Sequence, residues 1–313
     1  MTWRDGEGAA ASLPAGVVVS AADLHHTETA LLPAGLRTRP EWTWRRRNPG
    51  IGTVLAYLGV SGELPQLAHH TMVFSEDWAP DFRAIFSAAT GDSGGSGSSG
   101  GPGSSDGTGS SGGPGGAGVY SESVYVCRPS ASDPGVAPEG TENLFVLIPV
   151  PARSDGARGT VDGPGDAEVE RIVDGVIELI GRRAGIPDLA ERVIARRTAG
   201  PGDFEGRYNA WRGNALGLAH TLAQSAFLRG SNASRRVEGL LYAGSTTTPG
   251  VGLPMCLISA ENVVKRLRGD TSVGPLPAGT LGARGTRDAR GAEGPARGRE
   301  SGGSPGAPGA GSR

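Results

Sequence analysis

Apolar residues along the chain gather in short runs separated by turn formers, with one longer stretch that is apolar only at helical spacing. Gly16-Val17-Val18-Val19-Ser20 is a β-branched run between turn formers and predicts a buried strand, with Asp23 placed to cap the next element. Thr53 to Val60 and His69 to Phe74 predict two further strands. Asn143 to Val150 is almost continuously apolar and predicts a buried strand paired with Val124-Tyr125-Val126-Cys127. Between Asp166 and Ala184, Val169, Ile172, Val173, Val176, Ile177 and Ile180 recur at spacings of three and one. Glu170, Arg171, Asp174 and Glu178 fall on the other side, which predicts an amphipathic helix ended by Gly185. Val193 to Arg197 predicts a strand, and a helix is predicted from Asp203 through Tyr208 and Trp211. Strands and helices in this mixed order predict an α/β half-core joined to α+β elements.

Composition shortens the part of the chain that can fold. The 313 residues include 54 Gly and 23 Pro. From Gly91 to Gly118 the chain has almost no apolar surface to offset the entropy of ordering, so a disordered loop is expected there. Residues 1–16 and 269–313 are expected to be a leader and a tail without regular structure. A net charge of -2 gives no basic field for phosphate backbones, which argues against nucleic acid as a partner. Cys127 and Cys256 are far apart and in no CxxC, so neither a zinc framework nor a disulfide is predicted, and a reducing cytoplasm is expected. The start, with Asp5 and Glu7, has no signal-peptide pattern, and no apolar run is long enough to span a bilayer. Surface contact with a membrane stays open.

The candidate chemistry lies near residue 250. Gly239 to Gly244 predicts a strand that runs into Ser245-Thr246-Thr247-Thr248-Pro249-Gly250-Val251-Gly252-Leu253-Pro254 and then into a helix from Met255 to Leu267. Strand, glycine-rich turn and helix form the geometry of a cofactor site. Gly244, Gly250 and Gly252 allow close approach or positive φ, and Pro254 suits a first helical turn. The free N–H groups and the dipole at such a helix start favour an anionic or electron-rich atom, as in a flavin. An ordinary β-turn-α connection would read the same way.

The string from Tyr242 to Pro254 resembles the C-terminal signature of bacterial-type phytoene desaturases. Gly217 to Phe227, Val18 to Asp23 and Tyr57 to Val60 resemble further segments of that family in the same order, so the likeness covers most of residues 17–268. The resemblance implies FAD as cofactor, held by Gly244, Ser245, Thr248, Pro249, Gly250, Val251, Gly252, Leu253 and Pro254. It also implies a long-chain carotenoid substrate desaturated by hydride transfer. The fold it implies is the C-terminal part of a Rossmann-like FAD-binding flavoprotein with a mixed-sheet substrate domain. Residues 17–23 and 236–268 would then belong to the FAD domain and 24–235 to the substrate domain. Family members carry a strand and a GxGxxG turn for the FAD pyrophosphate. Gly6 to Ala11 and Gly95 to Gly100 have related spacings but no preceding apolar strand, so neither is expected to serve. An N-terminal FAD-domain chain acting in trans, a non-catalytic subunit, and carotenoid isomerisation or oxidation on the same scaffold remain open. So does peripheral attachment to the inner face of the cell membrane.

Other residues are weaker candidates for chemistry. His25-His26 and His69-His70 are adjacent pairs, whereas ligands on one face of a strand or helix need spacings of two or four, so no metal site is predicted. Trp42, Trp44 and Arg45 to Arg47 read either as a solvated loop packed on the substrate domain or as a patch for an anionic membrane. Leu216, Leu218, Leu222 and Phe227 read either as the wall of a polyene tunnel or as core. No arrangement of catalytic side chains is found.

Overall fold

Nine strands form among the described residues of a computed structural model, which are 1–4, 6–86, 120–153 and 156–277, most of them from the β-branched and aromatic runs. They are β1 Thr2–Arg4, β2 Ala10–Ser12, β3 Val18–Ser20, β4 Ile51–Ser61, β5 His70–Val73, β6 Val124–Cys127, β7 Thr141–Pro151, β8 Val193–Ala199 and β9 Leu240–Tyr242. The helices are α1 Leu24–His26, α2 Glu41–Trp44, α3 Trp78–Phe86, α4 Ala167–Ala184, α5 Leu189–Arg192, α6 Pro201–Tyr208 and α7 Leu253–Arg268. Residues 1–272 form one compact unit. The expected loop at 91–118 and most of the expected tail lie outside the described residues.

Five strands build one sheet in the order β5-β6-β7-β4-β8. Every neighbouring pair is antiparallel, so the sheet is not the mixed one expected. Antiparallel pairing follows from the long central pair, β4 and β7, which match residue for residue from Ile51↔Pro151 to Ser61↔Thr141. In that register Val54, Ala56, Leu58 and Val60 share a face with Leu144, Val146, Ile148 and Val150, and all are buried. α4 covers this face with Val169, Ile172, Val173, Val176, Ile177 and Ile180, the set that its periodicity predicted. Gly185 takes a left-handed conformation at φ 70° and ends the helix.

A second, smaller core surrounds the parallel pair β3–β9, in which Val18, Val19 and Ser20 lie opposite Leu240, Leu241 and Tyr242. Leu24, Trp44, Trp211, Leu218, Leu240 and Tyr242 pack together there. Trp44 is thus a core residue and not part of a solvated loop, whereas Trp42 remains exposed beneath Arg46. The reason is local: α2 places the two tryptophans on opposite sides, and Trp44 meets Trp211 and His25 edge-on.

Three local expectations are corrected. Residues 1–16 hold an antiparallel hairpin, β1–β2, closed through Gly8 at φ 85°. Its side chains are mostly solvent-exposed, so no apolar periodicity announced it. The helix expected from Asp203 begins at Pro201, because the Asp203 carboxylate reaches back to accept from the Gly200 N–H at 2.8 Å. It stops at Asn209, whose φ of 53° turns the chain, and Trp211 falls in a separate turn.

Candidate active site

Parallel strands release their chains at the same end, and ligands in such sheets settle in the crevice beyond the carboxyl ends. Here β3 leads into Ala21-Ala22-Asp23 and β9 into Ala243-Gly244-Ser245. The Ala243 N–H donates to the Ser20 carbonyl at 3.0 Å, which keeps the two exits side by side. A cleft of about 490 Å³ opens between them, lined also by Asn214, Ala215 and Gly217 and by Phe204 and Tyr208 from α6. Small side chains on three of its walls leave the backbone accessible to a flat ligand. Gly244, at φ 113°, would bring an added Cβ no closer than 3.8 Å to the Ala21 carbonyl, so the space beside it is free.

The turn after β9 is held from behind by buried polar groups. Asn232, 3% exposed, points its amide nitrogen at the Tyr242 and Thr248 carbonyls and at the Thr247 and Ser259 hydroxyls, all within 3.3 Å. Ser259, on the buried side of α7, accepts from the Gly244 N–H at 3.1 Å. A residue well inside α7 therefore fixes the backbone where the turn begins. Thr246 accepts from the Leu24 N–H at 3.1 Å and joins the turn to the segment after β3. The Thr248–Pro249 peptide is cis.

Arg229, fully buried, holds the other side. Its guanidinium donates to the carbonyls of Ser245 at 2.9 Å and Leu218 at 2.7 Å, and reaches those of Gln224 and Leu216 at 3.4 Å. Burial pulls its pKa below the ordinary arginine range, and the nearby positive Arg47 adds to this. Gln224 forms a second clasp, accepting from the Asn48 N–H and donating to the Asn48 carbonyl, each at 2.9 Å. Gly217 takes φ 71°, in the left-handed region that favours glycine, and a Cβ there would sit 3.1 Å from the Arg229 guanidinium and 3.2 Å from Thr246.

On the opposite wall, Asp23 caps α1 and accepts from the His25 and His26 N–H groups at 2.8 and 3.2 Å. Burial pushes its carboxyl upward, and the N–H groups of His26, Trp211 and His25 partly oppose that. Behind it, the buried Glu28 accepts from the Tyr242 hydroxyl at 2.9 Å and from the Thr38 N–H at 2.7 Å. Burial and the hydrogen bond to Glu28 push the Tyr242 phenol up to about 12, while Ser234 and Arg39 act against them.

Of the nine residues expected to hold a cofactor, Ser245 lines the cleft and Gly244 borders it. Thr248 is turned away, its hydroxyl donating to the Gly230 carbonyl at 2.6 Å with the Ala226 carbonyl 3.1 Å away. Pro249, Gly250 and Val251 complete the turn, and Gly252, at φ 106°, caps α7. Pro254 sits in the first turn as expected, but Leu253 before it is 83% exposed. The apolar residues expected along a tunnel do not share one surface. Leu218 is core, Leu216 is half-exposed and Leu222 is 95% exposed. The Phe227 side chain lies outside the described ones. Sequence reasoning missed Asn232, Ser259, Arg229 and Asn214, because isolated polar letters carry no period.

The sheet offers a second surface, which no motif marks. On the face away from α4, two rows cross the strands: Met72, Tyr125, Leu147, Leu55 and Ala199, then His70, Cys127, Phe145, Tyr57 and Arg197. Tyr57 is 44% and Met72 51% exposed, and the rings of Tyr57 and Tyr125 lie 5.5 and 6.4 Å from that of Phe145. An antiparallel sheet ordinarily turns polar residues to an open face. This one presents an aromatic platform. Its signal in the sequence is the run from Asn143 to Val150, which is apolar at both parities.

No protein-family model matches the chain. It is 38% identical over 254 residues to a carotenoid 3,4-desaturase of Haloarcula japonica, which covers 81% of this chain and 44% of that protein. It is 31% identical over 214 residues to a zeta-carotene-forming phytoene desaturase of Myxococcus xanthus, covering 68% and 35%. A 4,4'-diapophytoene desaturase of Staphylococcus aureus shares 26% over 260 residues, covering 82% and 46%. The chain thus spans less than half the length of each of these relatives. Matches of this length take in far more than the turn after β9, and they make the chain similar to just under half of a carotenoid desaturase.

Proposed function

We propose that this chain forms the substrate platform and one wall of the cofactor cleft of an FAD-dependent carotenoid desaturase. The observation that carries the reading is the aromatic face of the antiparallel sheet, which suits a long, flat, apolar substrate and faces away from the protein's own core. Relatives named as desaturases of phytoene, diapophytoene and carotenoid give the substrate class. The cleft at the ends of β3 and β9 fits a flat cofactor, since Ala21, Ala22, Ala215 and Gly244 leave backbone and free space where a ring system needs them. Bound there, FAD supplies the two-electron acceptor that converting a saturated carbon–carbon bond to a double bond requires.

The chain's own residues have positioning work. Arg229, Asn232 and Ser259 hold the turn Gly244–Gly252 against the β9 exit. α7 begins directly after that turn at Gly252, and free N–H groups at a helix start favour negative charge on a group placed before them. Rows of aromatic and aliphatic side chains bind the polyene and exclude water from it. β3 and β9, three residues each, form a parallel pair too short to stand alone, and a parallel sheet is ordinarily covered on both faces. Further parallel strands, carrying the pyrophosphate-binding turn, belong on the free edge of β3, in the same polypeptide or in a partner chain. Among the described residues no helix is long and apolar enough to cross a membrane. Trp78 and Phe82 of α3, each 57% exposed, are suited to touching the lipid surface from which a carotenoid is drawn.

The reading is tested by expressing the complete reading frame that contains this chain in a host that accumulates phytoene. The extracted pigment is expected to absorb at longer wavelength, and Phe145→Lys is expected to lower product at least about tenfold with flavin content unchanged. Pigment unchanged by the wild-type protein, with flavin bound, would sink the assignment. Equal product from Phe145→Lys would remove the platform from it.

A further inference from the structure

At one end of the platform, outside the cleft and its turn, His69, His70 and Cys127 converge. Their ligand atoms, one ring nitrogen from each histidine and the cysteine Sγ, lie within 4.8 Å of one another. Adjacent histidines in a regular strand point to opposite faces, but His69 precedes β5, where the chain is still bending, and the two rings stand 4.3 Å apart. Cys127 comes from the neighbouring strand as the direct cross-strand partner of His70. The site therefore joins two segments far apart in sequence, which no spacing rule within one element would reveal.

We propose that His69, His70 and Cys127 form a binding site for one zinc ion. Tetrahedral zinc with nitrogen and sulfur ligands requires ligand atoms about 3.4 to 3.6 Å apart, and small side-chain rotations bring the three from their present spacing into that range. Two imidazoles and a thiolate select a borderline-soft transition metal and disfavour magnesium or calcium, which take oxygen ligands. Both rings are already oriented: the Ser132 hydroxyl lies 2.6 Å from His69 Nδ1, and the Tyr125 hydroxyl 2.6 Å from His70 Nδ1. Each hydroxyl can accept an Nδ1–H, which leaves the lone pair on Nε2. Outer partners of this kind fix the tautomer and orientation of metal-bound histidines.

The position gives the ion a structural use. β5 is an edge strand, and the chain between it and β6 runs through residues 74–123. An ion bridging His70 to Cys127 closes that connection at its base, where a cross-link removes most loop entropy from the unfolded state. The half-exposed surroundings leave a fourth position open to water or a further ligand.

Cobalt(II) is the probe, titrated into the purified reduced chain after treatment with a chelator. One equivalent is expected to give a thiolate-to-cobalt charge-transfer band that zinc abolishes. Cys127→Ser should remove the band, Cys256→Ser should keep it, and Tyr125→Phe should weaken binding about tenfold through its effect on His70. In the wild-type chain, zinc should slow alkylation of Cys127 at least about tenfold and leave Cys256 unchanged, a measurement that needs no variant to fold. No thiolate band at stoichiometric cobalt, together with Cys127 alkylated at equal rates with and without zinc, overturns the proposal. So does a band that depends on Cys256. None of these readouts involves flavin or carotenoid, so failure here leaves the desaturase reading standing, and the converse holds.

Discussion

The sheet with α4 and the turn beyond β9 are built by opposite means. In the first, side chains alternate strictly between a face against α4 and an open face, and the inward set is aliphatic. Burial of that kind is non-directional and follows from area. In the second, position is set by hydrogen bonds from buried polar groups: Arg229 on carbonyls, Asn232 at four acceptors, Gln224 clasping Asn48, Ser259 beneath Gly244. Such bonds add little net stability when made and are costly when half-broken. A region that must hold a backbone turn open to a ligand has few apolar contacts available for rigidity, and directional bonds supply it.

This contrast can be broken most forcefully from the sheet side. Ile148, fully buried on β7 in the core beneath α4, is expected to cost the protein about 2–5 kcal/mol of stability on Ile148→Ala, read as a lower urea midpoint. If the cost is no larger than at an exposed site, the sheet is not the main source of stability. Next, Asn232→Ala removes one partner from several buried acceptors and is expected to cost about 1–3 kcal/mol. Its distinguishing sign is local: amide exchange at Gly244 and Thr248 should rise while exchange in β4 and β7 stays protected.

Gly217→Ala is expected to cost about 1–2 kcal/mol, from the left-handed φ and the approach to Arg229. On the proposed function, in the complete protein, it should lower flavin occupancy more than global stability, since it disturbs the clasp and leaves the sheet intact. Smallest is the effect of pH through Asp23. Its unfolded carboxyl titrates near 3.8 and its folded one higher, so the folded state holds more protons between the two values. Stability therefore falls as pH rises through that window and stays at the lower level above it. Asp23→Asn keeps a capping oxygen and removes this contribution, so the wild-type-minus-variant difference in unfolding free energy should decline with pH there. A flat difference would show that the carboxyl is not shifted by burial.

The helical period of apolar letters placed α4 in the sequence, and short apolar runs between turn formers placed β3, β4, β7 and β9, because a buried helix face repeats at 3.6 residues and a buried strand needs only a short apolar run, whatever each packs against. The signature from Tyr242 to Pro254 likewise marked the turn and α7. Tertiary structure alone decided the rest. Parity could not say that the five-stranded sheet is antiparallel throughout, since pairing direction depends on which strands meet. It could not say that Ser245 faces the cleft while Thr248 is tied back to residues 226 and 230. Trp44 and Trp42 read alike in sequence, and only packing against Trp211 and His25 buried one of them. The meeting of His69, His70 and Cys127 needed a bend before β5 and a cross-strand register. Local periodicity follows from chain geometry, whereas the identity of a neighbour distant in sequence follows from the register and the connections, which no single segment encodes.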